Sequence, residues 1–229
     1  MRKIILLIAI ICYATSATAQ KKVSVLGDSY STFEGFMTPS CNLSWYAGED
    51  GKGKRNDVRR VEETWWHLLI KKQGWTLEAN NSYSGATICF TGYRGEDYSD
   101  RSFITRMYNL GNPDIILIFG GTNDSWARSP IGINKYSDWT RTDLFQFRQA
   151  FCYLLSSMRK LYPQARIINI TNNQLKQDIT TATEEICNHY GVINIQLRDI
   201  DKQHGHPSVK GMKEIAQQIE EAFLQERPK

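Results

Sequence analysis

The sequence predicts an α/β domain in which a parallel sheet is covered by helices on both faces. Three observations carry that expectation. Strand-like and helix-like segments alternate along the chain. Residues 114–121, DIILIFGG, form an unbroken apolar run of the kind found in strands buried on both sides. The segments between strands place their apolar residues at helical spacing.

Taken in order, residues 22–26 (KVSVL) read as the first strand, which breaks into Gly27-Asp28-Ser29. Residues 61–72 carry Val61, Trp65, Leu68 and Leu69 on one helical face. WTLEANNS is a second strand leading to YSGATI, and 114–121 is the third. A long helix follows, opened by Thr142 or Asp143 as N-cap, with Leu144, Phe147, Phe151, Leu154, Leu155, Met158 and Leu161 inward and Pro163 just past its end. ARIINIT is the fourth strand, 178–190 a helix ending before Gly191, and VINIQL the fifth strand. The last helix presents Val209, Met212, Ile215, Ile219 and Phe223. Reactive groups in such sheets gather beyond the carboxyl ends of the strands. Ser29, Gly85, Asn123 and His206 all follow expected strands, so one rim can hold them.

Residues 1–19 read as a cleaved signal peptide: a basic start (Arg2, Lys3), the apolar run IILLIAIICYA, and Ala17-Thr18-Ala19 before Gln20. The run is too short to span a bilayer, so no stable membrane insertion is expected after cleavage. The destination is the periplasm or the exterior. Residues 20–229 then form a single domain with a long loop excursion at 31–60. The chain has 28 Lys and Arg against 24 Asp and Glu, and losing the two basic residues of the leader leaves a charge of about +2. That balance gives no case for nucleic acid. The basic run KGKRNDVRR is diluted by Asp57, Glu62 and Glu63 and reads as a solvated loop. GEDGKGK imitates a phosphate loop, but Arg55 stands where Ser or Thr would hold magnesium. Cys41, Cys89, Cys152 and Cys187 match no zinc spacing, and no metal is expected even at His204-Gly205-His206. Cys152 and Cys187 read as core residues, and a Cys41–Cys89 bridge is compatible with export. An oligomer is compatible with the pattern and not indicated by it.

A serine hydrolyses an ester only with a base to deprotonate it and donors aimed at the nascent oxyanion. Ser29 in its Gly-Asp-Ser turn supplies a hydroxyl and a backbone N–H. Gly85 in NNSYSGATI lets the backbone approach a ligand. Asn123 in GGTND offers a side-chain amide, and His206 in GHPSVKGM stands before the last helix. Each piece alone is a common turn.

In this order the four blocks, GDSY, NNSYSG, GGTND and HPS, resemble the SGNH (GDSL-type) hydrolase superfamily over essentially the whole mature chain. The resemblance implies a flavodoxin-like three-layer α/β/α sandwich on a central five-stranded parallel sheet. It also implies Ser29 as nucleophile and His206 as general base. The oxyanion hole would be Ser29 N–H, Gly85 N–H and the Asn123 amide, with no metal or organic cofactor. The absence of a G-x-S-x-G elbow argues against the other large serine-esterase fold. One position departs from the family pattern: Gln203 stands where an aspartate usually precedes the histidine by three residues. Asp201 is then the expected partner of His206, with Asp199, or no acid at all, as alternatives. Asp201 stands three residues before His204, but the proline that opens the helix follows His206.

Aromatic residues crowd the loops: Tyr30, Phe33, Trp45, Tyr46, Phe90, Tyr93, Trp126 and Trp139. Most are expected to pack the excursion down, while Tyr30 and Trp126, with Asp28, are candidates for the substrate pocket. Few aliphatic residues accompany them, which favours short acyl groups and sugar rings over long chains. The expectation is an exported serine esterase acting on a small ester or acylated carbohydrate, most simply by O-deacetylation. Lipase-like or thioesterase activity on longer chains is the alternative within enzymes. A non-catalytic glycan-binding module on the same fold is the alternative outside them.

Overall fold

The computed structural model describes residues 20–48 and 56–225. The expected signal peptide, the phosphate-loop imitation and the start of the basic run lie outside the described residues. Five strands, β1 (Lys22–Gly27), β2 (Thr76–Asn80), β3 (Ile115–Gly120), β4 (Arg166–Thr171) and β5 (Ile193–Gln196), form one parallel sheet in the order β2-β1-β3-β4-β5. Every residue of β3 is buried, as its apolar run requires.

Helices α1 (Trp65–Gln73) and α6 (Val209–Gln225) pack together on one face of the sheet. They close a core of Trp65, Leu69, Met212, Ile215 and Ile219 against Val25, Leu117 and Ile170. The other face carries α2 (Phe103–Arg106), α4 (Phe147–Leu161) and α5 (Gln177–Tyr190), whose Phe103, Phe147, Phe151, Leu155 and Ile186 meet Leu26, Ile116 and Ile118. Two elements were too short to show a period in the sequence, α2 and α3 (Thr122–Ala127). The two-residue strands β6 (Lys202–Gln203) and β7 (His206–Pro207) form an antiparallel hairpin just before α6.

The expected long helix is split. Residues 142–145 make a single 3₁₀ turn, Gln146 is extended, and α4 starts at Phe147. The reason is local: the carbonyls of Pro130 and Ile131 accept from the N–H groups of Phe147 and Arg148, at 2.8 and 3.0 Å, which ends the turn and caps the new helix. Asp143 spends its carboxylate on Thr140 and Lys135. Leu161, expected inward, is 42% exposed at the C-terminal end of α4. Cys41 and Cys89 are both free, the first exposed and the second buried, so the contemplated bridge is not formed.

The strand order places β1 between β2 and β3, so the chain leaves β1 toward one edge and returns to its other side. The crevice beyond the carboxyl ends of β1 and β3 is the topological switch point of the sheet, where ligands of such folds bind. No helix among the described residues is long and apolar enough to cross a membrane.

Candidate active site

Ser29 follows β1 at the start of a short 3₁₀ turn, residues 29–31. Asp28 is its N-cap: one carboxylate oxygen accepts from Tyr30 N–H at 3.0 Å. Asp28 is completely buried, its other oxygen Oδ2 has no hydrogen-bond partner, and burial raises its pKa to about 7. The expectation that Asp28 touches substrate is therefore replaced: it caps the turn that carries Ser29.

His206 lies 177 residues further on, in β7, and its Nε2 is 2.9 Å from Ser29 Oγ. Its Nδ1 is 3.2 Å from the carbonyl of His204. A carbonyl can only accept, so Nδ1 carries the proton and Nε2 presents a lone pair to the serine hydroxyl. Burial, and secondarily the ammonium of Lys202, lower the His206 pKa to about 4, against the bond to the His204 carbonyl, which raises it. The ring is thus neutral at physiological pH, the form a general base needs.

The hairpin explains that contact. His204 and Gly205 have φ of 50° and 79°, the left-handed pair of a tight two-residue turn between β6 and β7. A glycine at 205 takes that conformation without strain, and Trp126 lies 3.5 Å from where a Cβ would stand. The hairpin is pinned from several sides. Tyr30 Oη donates to Gly205 O at 2.6 Å and Tyr46 Oη to Pro207 O at 2.9 Å. Asn56 Nδ2 donates to the His206 and Pro207 carbonyls. Lys202 Nζ reaches acceptors on Asn172, Asn173 and Gln174. Tyr30, expected in the pocket, is fully buried and holds this turn instead.

The expected acid is elsewhere. The Asp201 carboxylate accepts a hydrogen bond from the Ser208 hydroxyl, whose oxygen in turn accepts from Gly211 N–H at 3.1 Å and caps α6. Asp199 is exposed on the groove between β5 and α6. Gln203, three residues before His206, accepts from Asp57 N–H at 3.0 Å and ties the excursion to the hairpin. Of the three possibilities, the structure shows an imidazole oriented by a main-chain carbonyl, with no carboxylate on it among the described residues.

Asn123 is the second residue of α3, which follows β3 after the single residue Gly121. Tyr93 Oη donates to its Oδ1 at 2.8 Å and its Nδ2 donates to Ala86 O at 3.0 Å, which fixes the amide and leaves its second N–H for a ligand. The neighbouring Asp124, fully buried, accepts from Ile88 and Cys89 N–H at 2.8 and 3.1 Å, and burial raises its pKa to about 6. These bonds clamp the loop that carries Gly85 against α3. Gly85 itself has φ 84° and open space at the Cβ position, so its N–H can face a ligand. Its N–H and that of Ser29 engage no protein acceptor among the described residues.

Three contributors were not legible beforehand. Arg106, buried in α2, donates to the carbonyls of Arg101, Asn81 and Gly27, gripping the ends of β1 and β2 while its charge opposes that of Asp28. Asp124 stood inside GGTND, where adjacency to Asn123 was the available signal. Trp45 lies face to face with the His206 ring, centroids 3.6 Å apart and planes 6° from parallel. Trp126, 43% exposed, stands edge-on to His206 at 5.9 Å.

The family model for GDSL-like lipases and acylhydrolases matches residues 21–223. The chain belongs to that family. This GDSL-like hydrolase is an ester-hydrolysing enzyme. It is 61% identical to a Bacteroides uniformis protein assigned to the GDSL-like lipases, with 90% of this chain and 96% of that one covered and a TM-score of 0.88. A second such protein, from Bacteroides ovatus, is 51% identical over 91% of this chain and 100% of its own, with a TM-score of 0.89. More distantly, an acetyl xylan esterase of Butyrivibrio proteoclasticus shares the fold at 18% identity, covering 90% of this chain and 63% of that one, with a TM-score of 0.55. Among curated proteins, none matches the GDSL-like hydrolase.

Proposed function

We propose that the chain is an exported serine esterase that removes short acyl groups, most simply acetyl, from carbohydrate. The observation that carries the reading is the 2.9 Å contact between Ser29 Oγ and a His206 ring whose other nitrogen is held by a carbonyl. His206 takes the Ser29 proton as the hydroxyl attacks the ester carbonyl. The tetrahedral oxyanion is received by the N–H groups of Ser29 and Gly85 and by the free Asn123 N–H. The imidazolium then protonates the departing alcohol, and water repeats the sequence on the acyl-serine. A donor of this kind is worth roughly 3 kcal/mol in the transition state.

The substrate class follows from the rim. The exposed group beside the catalytic ring is aromatic, Trp126, and such a face suits a sugar ring better than an acyl chain. The acetyl xylan esterase sharing the fold is in keeping with this reading. Export rests on the pattern of residues 1–19.

A chain-length series of nitrophenyl esters, run beside acetylated oligosaccharides, tests the proposal. The expected result is highest kcat/KM on acetate and release of acetate from sugar. A preference for acyl chains longer than about eight carbons would move the activity to the lipase class.

A further inference from the structure

We propose that Trp45 is a positioning residue for His206, its indole face holding the imidazole and stabilising the positive charge that the ring acquires during turnover. The inference rests on the esterase reading and deepens it. It starts from a deficit: an imidazole that loses its carboxylate partner loses both an orienting bond and a counter-charge. The His204 carbonyl restores the first, because it fixes the tautomer. Restoring the second requires something negative near the ring, and none of the described carboxylates of this region bonds to it. Asp201 is on Ser208, Asp57 on Val209 N–H, and Asp28 on Tyr30 N–H, where burial holds its pKa at about 7 and keeps it largely protonated.

The indole supplies what is missing. At 3.6 Å and 6° it lies parallel to the whole imidazole, and the face of an aromatic ring attracts a cation above it. The stack also blocks rotation that would carry Nε2 away from Ser29. Trp45 is built into the nucleophile's own turn: its N–H donates to Thr32 Oγ1 at 2.9 Å, and the same hydroxyl donates to Ser29 O at 2.9 Å. One side chain therefore sets the distance between the segment bearing the base's support and the segment bearing the nucleophile. The other titratable groups facing the ring do not offset its charge. Lys202 of β6 repels it, and Tyr30 and Tyr46, their pKa values raised by burial, stay neutral.

The test uses Trp45→Leu, which keeps an apolar cover without a π face, and Trp45→Phe, which keeps the face. Each full chain is followed by nitrophenyl acetate kinetics and by ¹⁵N NMR titration of His206. In Trp45→Leu, kcat should fall about 5- to 10-fold with KM within about twofold, and the His206 pKa should drop by roughly half a unit to one unit. Trp45→Phe should stay near wild type in both. A raised KM with unchanged kcat would make Trp45 a substrate platform and overturn the proposal. So would a His206 pKa that stays or rises in Trp45→Leu, or a Phe variant as impaired as the Leu variant. A wild-type chain that turns over no ester would sink the esterase reading separately, and the titration would still decide whether the stack favours the charged ring.

Discussion

Ser29 Oγ and His206 Nε2, 2.9 Å apart, set what the chain can do at the scale of single residues. His206 acts as a base only when neutral. Burial lowers its pKa from 6.5 to about 4, so the fraction of competent enzyme rises with pH through about 4 and is complete well below neutrality. The kcat/KM profile on a short ester should show its acid limb there; a limb near 6.5 would mean a solvent-exposed imidazole. Asn123 is held by Tyr93 and Ala86 so that one N–H remains free, the donor that the proposed mechanism gives to the oxyanion. Asn123→Ala should lower kcat about 10²- to 10³-fold with little change in KM. A loss confined to KM would show that the amide binds substrate rather than the transition state.

At the scale of elements, the β6–β7 hairpin presents a main-chain carbonyl to His206 where the proposed mechanism otherwise calls for an aspartate. Its left-handed turn points the His204 carbonyl at the ring, and Gln203 ties it to the excursion. Asp201 belongs to the next element, where it supports the Ser208 cap of α6. Asp201→Asn should therefore leave kcat within about threefold and cost about 1 kcal/mol of stability, read by urea denaturation. A fall approaching 10⁴ in kcat would instead mark it as the orienting acid.

The strands, the major helices and the four reactive blocks were legible because each rests on a local pattern: an apolar run, a helical period, a Gly-containing turn. The hairpin was not, since two-residue strands have no period and a turn of His204 and Gly205 has no strong composition signal. Trp45 stood among eight loop aromatics with nothing in the sequence to single out the one that reaches His206, 161 positions away. Tyr30 and Asp28 were misread for the complementary reason: nearness to Ser29 in the chain does not say which way a side chain faces.

At the scale of the whole molecule, the site is built over buried charge. Arg106 grips the carbonyls at the ends of β1 and β2, and Asp28 lies buried beside the nucleophile with one oxygen unpartnered. Asp28 titrates near pH 7 in the folded chain against 3.8 ordinarily, so between those values the folded state keeps a proton that the unfolded state has lost. The stability this contributes is full below about pH 4 and is lost as pH rises through about 7. Asp28→Asn keeps the acceptor for Tyr30 N–H and removes the titration, so its urea midpoint should fall less between pH 5 and pH 8 than that of the wild type. An equal or steeper fall in the variant would contradict a protonated Asp28. Arg106→Met removes a donor from three carbonyls and should destabilise by about 3 kcal/mol at any pH in that range, by the same measurement.

The central claim is that Ser29 is a nucleophile activated by His206 without a carboxylate. Mass spectrometry after treatment with a fluorophosphonate tests it most directly. The account predicts one adduct, located on Ser29, formed rapidly by the wild type and by Asp201→Asn and slowly by His206→Ala. An unlabelled Ser29 in folded wild-type protein, or labelling that proceeds equally well without His206, would contradict it.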